Sequence, residues 1–179
     1  MIRPRIQHGD TVLDATAGNG HDTIFLAEAV GESGRVIAID CNPDAIASTA
    51  TRSNQQALAD RISLIQNDHI HLSEILADQN ATSLAAAVFN LGYLPGSDKS
   101  LTTTSSSTIP ALRQALDHIQ LGGILVIVCY PGHDAGAIES EAVKNWAEGL
   151  DEKHYLTINY GSLNQHKRPP FIIAVERRR

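Results

Sequence analysis

The sequence predicts one doubly wound α/β domain over residues 1–179: a central, mostly parallel sheet of seven strands, helices on both faces, and a C-terminal antiparallel hairpin. Three observations predict it. Short apolar runs alternate with helical patterns five times along the chain, a Gly-Asn-Gly loop follows the first apolar run, and the last two apolar runs have no helix between them.

Residues 11–16 (TVLDAT) form the first strand, and Gly18-Asn19-Gly20 ends it before a helical pattern over 22–30. Residues 35–40 (RVIAID) are the second strand. Asn42 then supplies an N-cap and Pro43 a first helical position for a helix reaching residue 59. Residues 62–66 are the third strand and 71–76 a short helix. The run 84–90 (LAAAVFN) is apolar without alternation, as a strand buried on both faces requires. A polar stretch over 97–108 (SDKSLTTTSSST) reads as a loop on the substrate side, followed by a helix over 108–119 with Pro110 in its first turn. Gly122-Gly123 breaks the chain there, and 124–130 (ILVIVCY), the most strand-like segment, is placed at the sheet centre. A helix over 135–150 precedes strands at 154–160 and 171–176, which pair as the hairpin.

Composition excludes several classes. With 42% hydrophobic and 19% charged residues the chain is globular, and no apolar run approaches the roughly 20 residues of a membrane span. The N-terminus has no apolar secretory region, so the cytoplasm is the expected compartment. Cys41 and Cys129 read as buried free thiols, and the scattered histidines form no metal-ligand pattern. A net charge of −6 opposes nonspecific coating of nucleic acid but not a local contact. The basic residues cluster toward the chain ends at Arg3, Arg5, Lys167, Arg168 and Arg177 to Arg179. A last antiparallel strand begins at the ligand edge of the sheet, which puts Lys167 and Arg168 on the substrate rim and the terminal arginines opposite.

In an open α/β sheet the ligand crevice lies at the carboxyl ends of the strands, where the strand order reverses. The first strand ends in Asp14 with Thr16, Gly18, Asn19 and Gly20 behind it, small residues that let a ligand approach backbone and a helix N-terminus. Asp40 lies 20 residues past Gly20, placed to accept both hydroxyls of a ribose, and Asp68 continues the row of acids along the same edge. A dinucleotide site needs a third glycine where Thr23 stands, and Asp14 would face a diphosphate; a cationic sulfonium tolerates that acid better. Asn90-Leu91-Gly92-Tyr93 after the fourth strand resembles the Asn/Asp-Pro-Pro-Tyr signature of amino-group methyltransferases, in which the Asn accepts hydrogen bonds from the target nitrogen and the ring packs on its base. Only a neutral amine can attack a methyl carbon in line, so such a site needs acceptors and alignment more than a strong base.

Asp14 to Thr23 (DATAGNGHDT), Asn-Leu-Gly-Tyr-Leu-Pro-Gly from Asn90 with Asp98 and Lys99 behind it, Tyr130-Pro-Gly-His133, and Asn164-Gln165 with Pro169-Pro170-Phe171 resemble the MnmM/YtqB-like family of tRNA 5-aminomethyl-2-thiouridine methyltransferases, also called rRNA methylases. The resemblance runs from Gly9 to the C-terminus. It implies a Rossmann-like class I methyltransferase fold, S-adenosylmethionine as cofactor, and methylation of the aminomethyl amine of a wobble uridine to give 5-methylaminomethyl-2-thiouridine. The tRNA anticodon region is then the partner, and a homodimer the implied assembly. By motif, Asp14, Thr16, Gly18, Asn19, Gly20, His21, Asp22, Thr23, Asp40, Asn42, Asp68 and His69 hold the cofactor. Asn90, Tyr93, Tyr130 and His133 face the amine, with His133 a candidate proton acceptor. Leu91, Gly92, Asp98, Lys99, Lys167 and Arg168 contact the substrate. Asp68-His69-Ile70-His71 stands where the family has Asp-Ser-His, so the sequence leaves open which histidine corresponds. Methylation of another RNA or a small amine, and a non-catalytic cofactor-binding subunit, are the alternatives.

Overall fold

A computed structural model describes residues 2–92, 103–165 and 167–179. Tyr93, Asp98 and Lys99 lie outside the described residues. Seven strands, β1 (Thr11–Asp14), β2 (Arg35–Asp40), β3 (Ile62–Gln66), β4 (Leu84–Asn90), β5 (Ile119–Cys129), β6 (Tyr155–Tyr160) and β7 (Phe171–Arg177), form one sheet in the order β3-β2-β1-β4-β5-β7-β6. The five strands from β3 to β5 pair in parallel, whereas β7 is antiparallel to both β5 and β6. The chain winds outward from β1 to β3 and then returns to β4, so the order reverses between β1 and β4. A crevice forms at their carboxyl ends.

Period-two alternation divides the strands' apolar residues between two cores. Leu13, Ile37, Ile39, Ala87, Phe89, Leu125 and Ile127 face one side, against Leu72 and Leu76 of α3 (Leu72–Asp78), Leu112 and Leu116 of α4 (Ser105–His118) and Val143 of α5 (Asp134–Glu148). Val12, Val36, Ala38, Ala86, Val88 and Val126 face the other, against Leu26, Ala27 and Val30 of α1 (His21–Val30). Burial on both faces is why these strands read as unbroken apolar runs. Among the described residues no helix is long and apolar enough to cross a membrane.

Several expectations are corrected. The helix after β2, α2 (Pro43–Gln55), is capped by the Asn42 side chain as expected but ends early. Ala57 takes a left-handed φ of 55° and turns Leu58 into the core before one 3-10 turn over Ala59–Arg61. The helix α4 starts within the polar stretch, at Ser105, so Pro110 falls in its second turn. Gly122-Gly123 does not break β5 but lies inside it. Leu84 pairs with Ile119 and Ala86 with Ile124, so residues 120–123 bulge out, with Gly122 at φ +76° and a Cβ on Gly123 only 2.9 Å from the Ala85 carbonyl oxygen. The middle strand of the seven is β4, and β5 lies one place off the centre. Both cysteines are free, but Cys41 is exposed because it follows the last residue of β2 and leaves the sheet.

Candidate active site

The β1–α1 loop threads between the ends of the neighbouring strands. Ala15 N–H donates to the Val88 carbonyl and Ala17 N–H to that of Ile39, so the loop is tied to β4 on one side and β2 on the other. Gly20, at φ +80°, caps α1 and packs so closely on α2 that a Cβ there would lie 2.9 Å from Thr49 Oγ1 and 3.0 Å from Thr49 Cα. The helix α2 holds the loop with three side chains that the motifs did not single out. Thr49 Oγ1 donates to the Gly18 carbonyl (3.1 Å), Arg52 Nε to the Asn19 carbonyl (2.7 Å) and Ser48 Oγ to Asn19 Oδ1 (3.2 Å). Their spacing, one helical turn, was visible; their target was not.

Asp14 is fully buried beneath this loop, where its carboxylate accepts from Thr23 Oγ1 (2.5 Å) and the Thr16 N–H (3.2 Å). Desolvation pushes its pKa up to about 7, and nearby Asp22 and Asp40 add to the rise while the Thr23 and Thr16 hydrogen bonds oppose it. Asp40 accepts the Gly18 N–H on Oδ2 and the Asn42 N–H on Oδ1, both at 2.9 Å. A carboxylate has about four lone-pair positions, so two remain for hydroxyl donors.

At the end of β3, Asp68 caps the 3-10 turn His69–His71 by accepting the Ile70 N–H. His69 is buried, edge-on to Phe89, and its Nε2 makes no hydrogen bond among the described residues. Burial lowers its pKa, against the opposing charge of Asp68, which keeps the imidazole neutral at pH 7. His71 is exposed and near Glu74, so of the two histidines the structure places His69 against the strand ends.

Across the crevice, Asn90 ends β4. Its N–H donates to Thr16 Oγ1 (2.7 Å) and its Nδ2 to Asp22 Oδ2 (3.2 Å). Only the amide nitrogen can donate to a carboxylate, so Oδ1 is left as an acceptor. Tyr130 follows the last residue of β5 beside Asn90; burial and then Asp22 raise its pKa against the opposing influence of the Asn90 amide, so the phenol keeps its proton. A Cβ on Gly92 would lie 4.0 Å from the Tyr130 ring, which therefore borders the 90–92 segment.

The structure thus joins Asp14, Thr16, Gly18, Asn19, Asp22, Thr23, Asp40, Asn90 and Tyr130 in one connected region. Other expected site residues stand differently. Leu91 is 3% exposed and points into the core, so its side chain is no substrate contact. Asn42 is buried and spends its side-chain oxygen on the Asp44 N–H as a helix cap. His21 is exposed on the first turn of α1. His133 caps α5, its Nδ1 accepting the Gly136 N–H at 3.0 Å. Lys167 and Arg168 are exposed before β7, whose first residue, Phe171, pairs with Cys129 at the ligand edge. Arg177 lies at the opposite edge, bonded to the Ile119 carbonyl. Glu139 of α5 was not expected. It is buried between Thr103 and Thr108, and burial raises its pKa against the opposing hydrogen bonds of those two hydroxyls.

A parallel sheet extended by an antiparallel β7, with a glycine loop and acids along its carboxyl edge, defines the class I fold of S-adenosylmethionine-dependent methyltransferases. The profile of the family described as "Putative rRNA methylase" matches residues 36–176, and the chain belongs to that family. A family structure from Clostridium thermocellum superposes with a TM-score of 0.93 at 38% identity, over 98% of this chain and 92% of that one. SMU.1697c of Streptococcus mutans, solved in complex with SAH, gives 0.88 at 30% identity, over 98% and 93% of the two chains. The chain is also 35% identical, over 96% of its length, to the chloroplastic tRNA (mnm(5)s(2)U34)-methyltransferase of Arabidopsis thaliana, and spans 65% of that protein.

Proposed function

We propose that this chain is an S-adenosylmethionine-dependent N-methyltransferase whose substrate is the aminomethyl amine of wobble 5-aminomethyl-2-thiouridine in tRNA, giving 5-methylaminomethyl-2-thiouridine. The observation that carries it is Asn90: its amide nitrogen donates to Asp22, its backbone to Thr16 of the β1–α1 loop, and among the described residues its Oδ1 takes no hydrogen bond, which suits it to receive an N–H. The Arabidopsis relative supports the substrate and the Streptococcus mutans structure the cofactor.

The residues fit the cofactor. Asp40 retains lone pairs for ribose hydroxyls, the buried Nε2 of His69 offers a polar contact at the adjacent strand end, and the first turn of α1 presents N–H groups that have no partner within the helix. When bound, S-adenosylmethionine supplies a methyl carbon on a sulfonium and departs as the thioether.

The chain's own part is alignment. Asn90 Oδ1 accepts one N–H of the neutral amine and so directs the nitrogen lone pair toward the cofactor loop. Tyr130, a protonated phenol with its ring half in solvent, flanks the acceptor base. His133 shapes the turn after Tyr130. Its Nδ1 is engaged by the Gly136 N–H, and the surplus amine proton is assigned to water. Lys167 and Arg168 meet tRNA phosphates on the rim.

The test is incubation of the protein with tRNA carrying 5-aminomethyl-2-thiouridine and labelled S-adenosylmethionine, with the nucleoside identified by mass. Asn90→Ala should lower turnover roughly a hundredfold and change S-adenosylhomocysteine affinity far less, since the backbone bond to Thr16 remains and only the Asp22 contact is lost. Label in ribosomal RNA but not tRNA would refute the substrate assignment.

A further inference from the structure

The segment from Asn90 to Gly92 is held by three successive backbone N–H groups, each bonded to a different part of the molecule. Asn90 N–H goes to Thr16 Oγ1 on the cofactor loop and Leu91 N–H to the Val128 carbonyl on β5 (3.0 Å). Gly92 N–H goes to Thr103 Oγ1 at 2.8 Å, and the Thr103 N–H returns to the Gly92 carbonyl at 3.0 Å. The Thr103 hydroxyl, already an acceptor from Gly92, sends its proton to Glu139 Oε2 at 2.8 Å. Thr108 Oγ1 donates to the other oxygen, Oε1, at 2.6 Å.

Glu139 is 3% exposed, on the face of α5 that also buries Val143 and Ala147. A buried carboxylate is costly to desolvate, and an apolar residue of similar size would serve packing at least as well. What an apolar residue cannot do is orient hydroxyls. A carboxylate only accepts, so it forces the Thr103 proton away from Gly92 and leaves a lone pair facing the Gly92 N–H. Gly92 itself has φ +130°, a region open to glycine, and its freedom there is limited by the two hydrogen bonds to Thr103.

We infer that Glu139 is a positioning residue for the methyl acceptor, acting through Thr103 to fix Gly92 and with it the Asn90 amide. The inference rests on the function proposed above for Asn90, but its geometry can be tested without activity. Glu139→Gln keeps the shape but leaves one acceptor oxygen where two hydroxyls, Thr103 and Thr108, donate. Thr103→Val removes the link, and Thr103→Ser restores it.

Amide hydrogen exchange by NMR and steady-state tRNA methylation would be measured on all four proteins, with S-adenosylhomocysteine binding by calorimetry. From the usual worth of a hydrogen bond to a charged group, Gly92 exchange should quicken and kcat fall, each by roughly tenfold to a hundredfold, in Glu139→Gln and Thr103→Val. KM for tRNA and cofactor affinity should stay within about twofold, with Thr103→Ser close to the parent. Unchanged Gly92 exchange in either Glu139→Gln or Thr103→Val overturns the inference, as does a parallel loss of cofactor affinity. If Glu139→Gln does not fold, Glu139→Met, which leaves no acceptor for Thr103, takes its place with the same outcomes. A parent protein that fails to methylate tRNA, while Gly92 exchange still responds, refutes the substrate assignment and leaves the positioning link standing.

Discussion

Replacing Gly20 with alanine tests the cofactor loop at its tightest point. The residue sits at φ +80°, where an alanine costs about 1–2 kcal/mol. Its Cβ would also stand 2.9 Å from Thr49 Oγ1, 3.1 Å from Cγ2 and 3.0 Å from Cα. Thr49 cannot simply turn away, because it is fully buried and its hydroxyl holds the Gly18 carbonyl. Nor can α2 retreat without withdrawing Ser48 and Arg52 from Asn19. Overpacking of this kind adds about 1–3 kcal/mol, for a total of roughly 2–5 kcal/mol. In a domain of this size that lowers Tm by roughly 4–20 °C. Calorimetric unfolding and S-adenosylhomocysteine titration should show both the lower Tm and weaker binding. Adding Thr49→Ala removes the crowding from Oγ1 and Cγ2 and should recover part of the Tm, while the clash with the α2 backbone and the φ strain persist. A Gly20→Ala protein with parental Tm and affinity would refute the packing of this loop on α2.

Asp14→Asn removes a carboxyl whose folded pKa is about 7 against 3.8 in the open chain. Between those values the native state holds the proton and the unfolded state does not, so this group's contribution is full below about pH 4 and declines as pH rises toward 7. The loss is on the order of 4 kcal/mol, and the Tm of Asp14→Asn relative to the parent should therefore climb across that window; a constant difference from pH 4 to 8 would contradict it. Lys167→Ala with Arg168→Ala should weaken tRNA binding and flatten the log–log salt slope by about 1.5, whereas neutralising Arg178 and Arg179 should not. Equal effects from both pairs would mean the substrate approaches another edge. His133→Ala should cost about 1 kcal/mol through loss of the α5 cap without altering the pH dependence of kcat, and His133→Asn should restore the stability. Disappearance of a pH-dependent limb in His133→Ala would instead identify it as a base.

The fold was legible where burial wrote itself into composition. Runs such as 84–90 have apolar residues on both faces because α1 covers one side of β4 and α3 and α4 the other, so their strand bounds matched at both ends. Boundaries failed where one residue's backbone conformation decided the matter. Ala57 ends α2 in a left-handed turn that its sequence does not require, and Gly122-Gly123 looks like a break although it is a bulge that keeps β5 paired. Glycine pairs mark both outcomes, and only the register of the neighbouring strand distinguishes them.

The site was legible as separate motifs but not as one network. Strand-end acids and the glycine loop could be assigned to one edge by topology alone. The sequence could not show that Thr16 and Asp22, read there as cofactor residues, are the hydrogen-bond partners of Asn90, 74 and 68 positions away. That changes their chemistry. Asp22 takes the amide nitrogen of Asn90 and leaves its oxygen for the proposed acceptor, and Thr16 joins the β1–α1 loop to the end of β4. Two bonds, of 2.7 and 3.2 Å, tie that loop and the first turn of α1 to the end of β4. Glu139 was illegible for a related reason: an acid on a helix face reads as solvated until the fold buries it, and its value lies in the direction it imposes on a hydroxyl 36 residues away.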